Sequence, residues 1–222
     1  MLNFSISKFC KSILIVILVL TFINLVLFYI NYYYPGNIAI AHIYSFFDTN
    51  SEINLPTFFS SILILLASFL LFIIGTNNKK MNFWYFLGGL FFFASMDEML
   101  QIHENCDMAI RKLIDNNAIV HLYGWVGLWT IILIIMFVIG LKFLFSLPRK
   151  TRNLFFLASG IFIAGALVME VIGGGYETES IYYKILTTVE ELLEMGGMLV
   201  FIYTFLDYIK TNLSPIKIKL EK

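Results

Sequence analysis

Two strings carry side chains able to move protons or hold cations: S-M-D-E-M-L-Q-I (Ser95 to Ile102) and T-V-E-E-L-L-E-M (Thr188 to Met195). Both lie in long apolar stretches, where a carboxylate at the centre of a membrane helix costs roughly 2.5–3.5 kcal/mol and less toward the interface. Asp97, Glu98, Glu170, Glu190, Glu191 and Glu194 all fall in such stretches. They must therefore be protonated, hydrated or neutralised by a bound cation. At about 100° per residue, Asp97, Glu98, Gln101, Glu104 and Asn105 share one helical arc of about 120°. Glu190, Glu191, Glu194, Thr187 and Gly197 share another.

Oxygen-rich donors suit Mn²⁺, Mg²⁺, Ca²⁺ or iron, with Zn²⁺ favoured only if two or more histidines join. Asp97, Glu98, His103, Glu104, Glu170, Glu190, Glu191 and Glu194 are the candidate ligands of a divalent metal. Asp97, Glu98 and Glu191 are the candidate catalytic groups, a spare carboxylate serving as general base to a metal-activated water. His103 falls on a different stripe from the acids, with Ser95, Met99 and Cys106, while His42 and His121 come from loops that can reach over the site. The chain contains no H-E-x-x-H, Walker loop, G-x-S-x-G elbow or dinucleotide fingerprint, so nucleotide hydrolysis and serine-type acyl transfer have no motif to support them.

The elements that must position these groups follow from hydropathy. Of the 222 residues 59% are hydrophobic, 17% aromatic and only 14% charged, with a mean hydropathy of +0.84. That composition excludes a water-soluble globule and a disordered chain. Six stretches reach the roughly 20 apolar residues a transmembrane helix needs: about 12–30, 55–75, 82–103, 122–147, 154–172 and 181–209. The expectation is an all-α polytopic bundle, one integral membrane domain over 1–222. The first stretch is too long for a signal peptide and ends in FYINYYYPG rather than a small-residue cleavage site, so it is expected to remain as an anchor.

Charge sets the orientation. Twelve of the 15 Lys and Arg residues fall in the N-terminus, around Lys79 and Lys80, in the 142–152 region and in the tail; Arg111, Lys112 and Lys184 make up the rest. Short cytoplasmic loops are enriched in such residues, so both termini belong in the cytoplasm. On that topology 13 of the 15 acids and all three histidines face outward. Cys10 and Cys106 then lie near opposite faces, which excludes a disulfide between them. A net charge of zero argues against a nucleic-acid partner.

Residues 31–54 read as an interfacial segment, 104–121 as a continuation of the third helix past the bilayer, and GGGYETES as a flexible loop. The exposed acids of these loops, Asp48, Glu52, Asp115, Glu177 and Glu179, need no functional explanation. Antiparallel third and sixth spans bring the two acid strings to one depth as walls of a single outward-facing site, with Glu170 on a third wall. An inverted repeat is excluded because one string closes its span and the other opens its own. Most glycines serve helix packing, whereas Gly196 and Gly197, directly after Glu194, leave room for a ligand or water.

S-x-D-E-x4-H-E (Ser95, Asp97, Glu98, His103, Glu104), with E-E-x-x-E (Glu190, Glu191, Glu194), resembles a class of bacterial multi-pass inner-membrane proteins. That resemblance implies a bacterial inner-membrane location and carries no activity. A looser one is to the alkaline ceramidases and adiponectin receptors, which hold a Ser, Asp and His site within a helical bundle; their late H-x-x-x-H pair has no counterpart here. It implies metal-dependent hydrolysis of a lipid or other amphiphile. Three classes therefore stand open: such a hydrolase, a cation or proton transporter, and a small membrane assembly or sensor protein. The apolar runs FWYFLGGLFFFA and MLVFIYTFL beyond the acids make the site one-sided, which favours binding or catalysis over conduction.

Overall fold

The computed structural model describes residues 5–51, 54–78, 82–102, 105–106 and 118–213, without the side chains of 118–129. Seven helices account for nearly all of these: α1 (Ile6–Tyr33), α2 (Ile38–Ser45), α3 (Leu55–Asn77), α4 (Phe83–Leu100), α5 (Ala118–Ser146), α6 (Arg149–Gly173) and α7 (Ile181–Leu213). The fold is all-α. α1, α3, α6 and α7 are each long and apolar enough to cross a bilayer. In hydrocarbon every backbone N–H and C=O must be satisfied internally, which is why runs rich in Ile and Val, poor helix formers in water, become helices here.

Local signals set several boundaries. Ser5 caps α1, Asn37 caps α2 by accepting from the amides of Ala39 and Ile40, and Ser180 caps α7 by accepting from Tyr183. Asn54 caps α3 by accepting from the Thr57 amide at 2.7 Å, ahead of Pro56 in the first turn, where a missing N–H is harmless. α2 occupies the middle of the segment expected to be interfacial.

α4 departs from expectation. Rather than continuing past the bilayer, it stops at Gln101, whose φ of 56° and ψ of 39° lie in the left-handed region. A non-glycine residue there turns the chain out of the helical path. The single arc joining Asp97 and Glu98 to Glu104 and Asn105 is thereby broken, since the helical wheel ends at Leu100. Glu104, His103 and most of the stretch that was to continue the helix, 107–117, lie outside the described residues.

α7 is the central helix and packs against α1, α3 and α6, while α4 packs on α3. Ile202, Phe205, Met195 and Met198 of α7, Leu71, Ile74 and Ala67 of α3, Ile17 of α1 and Trp84 of α4 form the core, each at most 2% exposed. α3 and α4 are also stitched by hydroxyls. Ser61 and Ser95 donate to each other's carbonyls at 3.0 and 2.9 Å, and Ser68 donates to the Gly88 carbonyl at 2.8 Å. α5 stands apart: Ile131, Ile134, Val138 and Ile139 are all more than half exposed, and among its described side chains it enters the core near its end, at Phe143 and Leu144, followed by Leu147.

Candidate functional site

Side-chain contacts fix how α4 and α7 run past each other. The ring centroids of Trp84 and Tyr208 are 5.0 Å apart, and those of Phe91 and Phe201 are 5.2 Å apart. Each step is seven residues along both helices, in opposite directions, as an antiparallel heptad seam requires. One more heptad toward α2 brings Glu98 level with Glu194, and Gln101, at the end of α4, level with Glu191. Extended at that spacing, the register sets the two acid strings at a similar depth, while α4 itself packs mainly on α3.

α6 brings the third wall. A Cβ built on Gly165 would lie 2.8 Å from the Glu190 carbonyl oxygen and 2.9 Å from Cγ of Glu194, and one on Gly197 would lie 2.8 Å from the backbone nitrogen of Phe162. Only glycine permits that approach. Gly165 lies in a π-helical stretch, Ala164–Met169, inside α6, a wide turn of the kind that recurs at functional sites. Beyond it, a Cβ on Gly173 would lie 3.5 Å from the Tyr183 ring, so Glu170, about one turn earlier, falls between the levels of Tyr183 and Glu190. Gly197 is accordingly a packing residue whose space Phe162 fills, which corrects the expectation that it leaves room for a ligand. Gly160, expected to pack, and Gly89 face open space.

Asp97, Glu98, Glu170, Glu190, Glu191 and Glu194 are all half-buried, each has an interaction partner, and Oε2 of Glu191 is fully buried. Among the described residues no three His, Cys, Asp or Glu side chains are grouped to hold a metal ion. His42 lies exposed on α2; His121 lies in α5, with its side chain outside the described set. Ser95, part of the motif that suggested a hydrolase, is fully buried and engaged with Ser61.

One turn toward α2 from the acids of α7 lies a polar junction that spacing alone did not reveal. Asn24 of α1, 2% exposed, donates from Nδ2 to Thr188 at 2.9 Å and to Thr49 at 3.1 Å. Thr188 in turn donates to the Lys184 carbonyl at 2.7 Å. The spacing 184, 188, 191 keeps Lys184, Thr188 and Glu191 on one face of α7. Above the junction Lys184 reaches Asp48 at 3.4 Å, both side chains 14% exposed. Asp48 also accepts from the Tyr44 hydroxyl at 2.9 Å and the Asn50 amide at 3.0 Å. Burial, then the Asp48 carboxylate, push the Tyr44 phenol well above its usual pKa, and Glu179 adds to the effect. These residues, with Phe28, Asn31 and Tyr32, line a cleft of about 300 Å³. Asp48 and Glu179, expected to be ordinary loop acids, therefore both line this cleft.

The family model of DUF8692, a domain of unknown function, matches residues 13–209. The chain belongs to DUF8692. No curated protein and no solved structure matches it. The matched stretch of this DUF8692 chain runs from within α1 to the last turns of α7, so Asn24, both acid strings, Glu170 and the cleft all lie within the family region.

Proposed function

We propose that the chain is a six-span inner-membrane protein with both termini cytoplasmic, whose outer half carries a carboxylate site for a divalent cation. α4 and α5 supply the spans beyond the four long apolar helices, and the 12 to 3 division of Lys and Arg supports the orientation. The observation that carries the site is the pair of aromatic contacts between α4 and α7, Trp84 with Tyr208 and Phe91 with Phe201; continued by one heptad, their spacing sets Glu98 level with Glu194. Three carboxylates within five residues of α7, with Asp97 and Glu98 on α4 and Glu170 on α6 toward the same end of the bundle, favour a cation among them. The proposed ligands remain Asp97, Glu98, His103, Glu104, Glu170, Glu190, Glu191 and Glu194, with Asp97, Glu98 and Glu191 as the groups that would assist a bound water. The reaction class we assign is hydrolysis of a lipid or other amphiphile entering from the outer leaflet.

Cation binding predicts that the melting temperature of the purified protein rises with added Mn²⁺, Mg²⁺, Ca²⁺ or Zn²⁺. At a hundredfold excess over the dissociation constant the gain is about 2.7 kcal/mol. Asp97→Asn and Glu191→Gln keep shape and hydrogen-bonding capacity but remove charge, so both variants are expected to fold and to lose the metal response. A wild-type melting curve indifferent to every divalent ion, with no metal retained after mild purification, removes the cation site. The orientation is tested separately: an impermeant maleimide is expected to label Cys106 in intact cells and Cys10 only after permeabilisation, and the reverse pattern overturns the sidedness.

A further inference from the structure

The cleft between the end of α1, α2 and the start of α7 has its own chemistry, distinct from the acid seam below it. Three rings form one wall: Phe28 lies 6.2 Å from Tyr32 and 6.3 Å from Tyr44, centroid to centroid. Of its charges, Asp48 and Lys184 neutralise each other, and Asp48 is further occupied by Tyr44 and Asn50. Glu179 is the remaining charge. It is exposed at the rim, and among the described residues it makes no ion pair. The cleft therefore presents one uncompensated negative charge beside three aromatic rings.

That combination selects a particular kind of cation. A hard metal ion needs several converging oxygens and gains nothing from rings, whereas an organic ammonium group is drawn to ring faces and needs a single counter-charge. Position supplies the source. Tyr29, Tyr32, Tyr33 and Tyr34 at the end of α1 are all more than half exposed, a tyrosine belt of the kind that sits at headgroup level. We propose that this cleft binds the ammonium group of a lipid headgroup, with Glu179 as counter-ion and Phe28, Tyr32 and Tyr44 as its aromatic wall. The proposal does not depend on what the carboxylate seam holds.

The test uses the full chain in a nonionic sugar detergent, titrated with a short-chain phosphatidylethanolamine, the matching phosphatidylglycerol and free ethanolamine, with binding read by native mass spectrometry. The ethanolamine lipid is expected to bind saturably and the glycerol lipid not. Glu179→Gln is expected to weaken binding about tenfold and Tyr32→Leu severalfold. Both positions are exposed, so the melting temperature without lipid should not move. Glu177→Gln, two residues away and outside the cleft, should bind as the wild type does. Competition by free ethanolamine assigns recognition to the amine alone, and its absence assigns it to the whole headgroup; either supports the ammonium site. Equal binding of the two lipids, or wild-type affinity in both cleft variants, overturns it.

Discussion

From Trp84 to Phe91 on α4, and from Tyr208 to Phe201 on α7, the contact is ring against ring. One heptad toward α2 the same two faces carry carboxylates. The aromatic end is closely packed: Phe155 of α6 joins Phe201 at 5.1 Å, Phe143 of α5 meets Trp84 at 4.7 Å, and Asn78, just after α3, donates to the Tyr208 hydroxyl at 3.1 Å. The α2 end is held by small polar groups, Asn24 with Thr49 and Thr188, and Ser61 with Ser95. Without a hydrophobic drive between helices in lipid, close packing and interhelical hydrogen bonds must hold the bundle together. The large contacts are concentrated away from the acids. One end anchors the helix register, and on the proposed site that holds the carboxylates of the other end in place.

The sharpest way to break this division is at its anchored end. Phe201→Ala removes the ring shared by Phe91, Phe155 and Phe205, and is expected to cost about 3–5 kcal/mol, the range for aromatic truncation in a packed core. Reversible unfolding in detergent measures it. Because the α4–α7 register rests on the same layer, the metal response is expected to weaken too, although no carboxylate has changed. A loss below about 1 kcal/mol would mean that the aromatic end does not set the register.

At the boundary between the two ends, Gly165→Ala is the intermediate test. The added methyl would lie 2.8 Å from a backbone oxygen of α7, which cannot swing aside as a side chain can. α6 must move away, at an expected cost of about 1–3 kcal/mol. On the proposed site that shift draws Glu170 away from the acids of α7, so the metal-dependent rise in melting temperature should shrink as stability falls. Gly160→Ala on the same helix meets nothing within 4 Å and should leave both unchanged.

Much of the bundle was legible in hydropathy. The stretch expected at 55–75 is α3 (Leu55–Asn77), and the start expected at 181 is the start of α7, because a membrane helix is set by the length of its apolar run rather than by local turn chemistry. The break at Gln101 was not legible, since neither Gly nor Pro marks it and nothing in its neighbours requires a left-handed residue. The seam could have been found: Trp84, Phe91 and Glu98, and Glu194, Phe201 and Tyr208, stand at heptad spacing in the sequence. The junction of Asn24, Thr49 and Thr188 and the pairing of Lys184 with Asp48 could not, because they join side chains 25 to 164 residues apart and depend on which helices pack together.

The smallest effect expected decides whether Ser95 belongs with the packing or with the site. Its hydroxyl donates to the Ser61 carbonyl, Ser61 returns the bond, and the two hydroxyl oxygens are 3.1 Å apart. Interhelical hydrogen bonds in bilayers average about 0.6 kcal/mol, so Ser61→Ala and Ser95→Ala should each cost about that much. As the two side chains share one contact, the double variant should cost less than the sum of the singles. Their effect on the metal response should be nil, since neither hydroxyl is free to meet a ligand. If instead Ser95→Ala abolishes the metal response while Ser61→Ala does not, Ser95 must leave Ser61 and act with Asp97 and Glu98. The α3–α4 hydroxyl pair would then be part of the carboxylate site rather than its support.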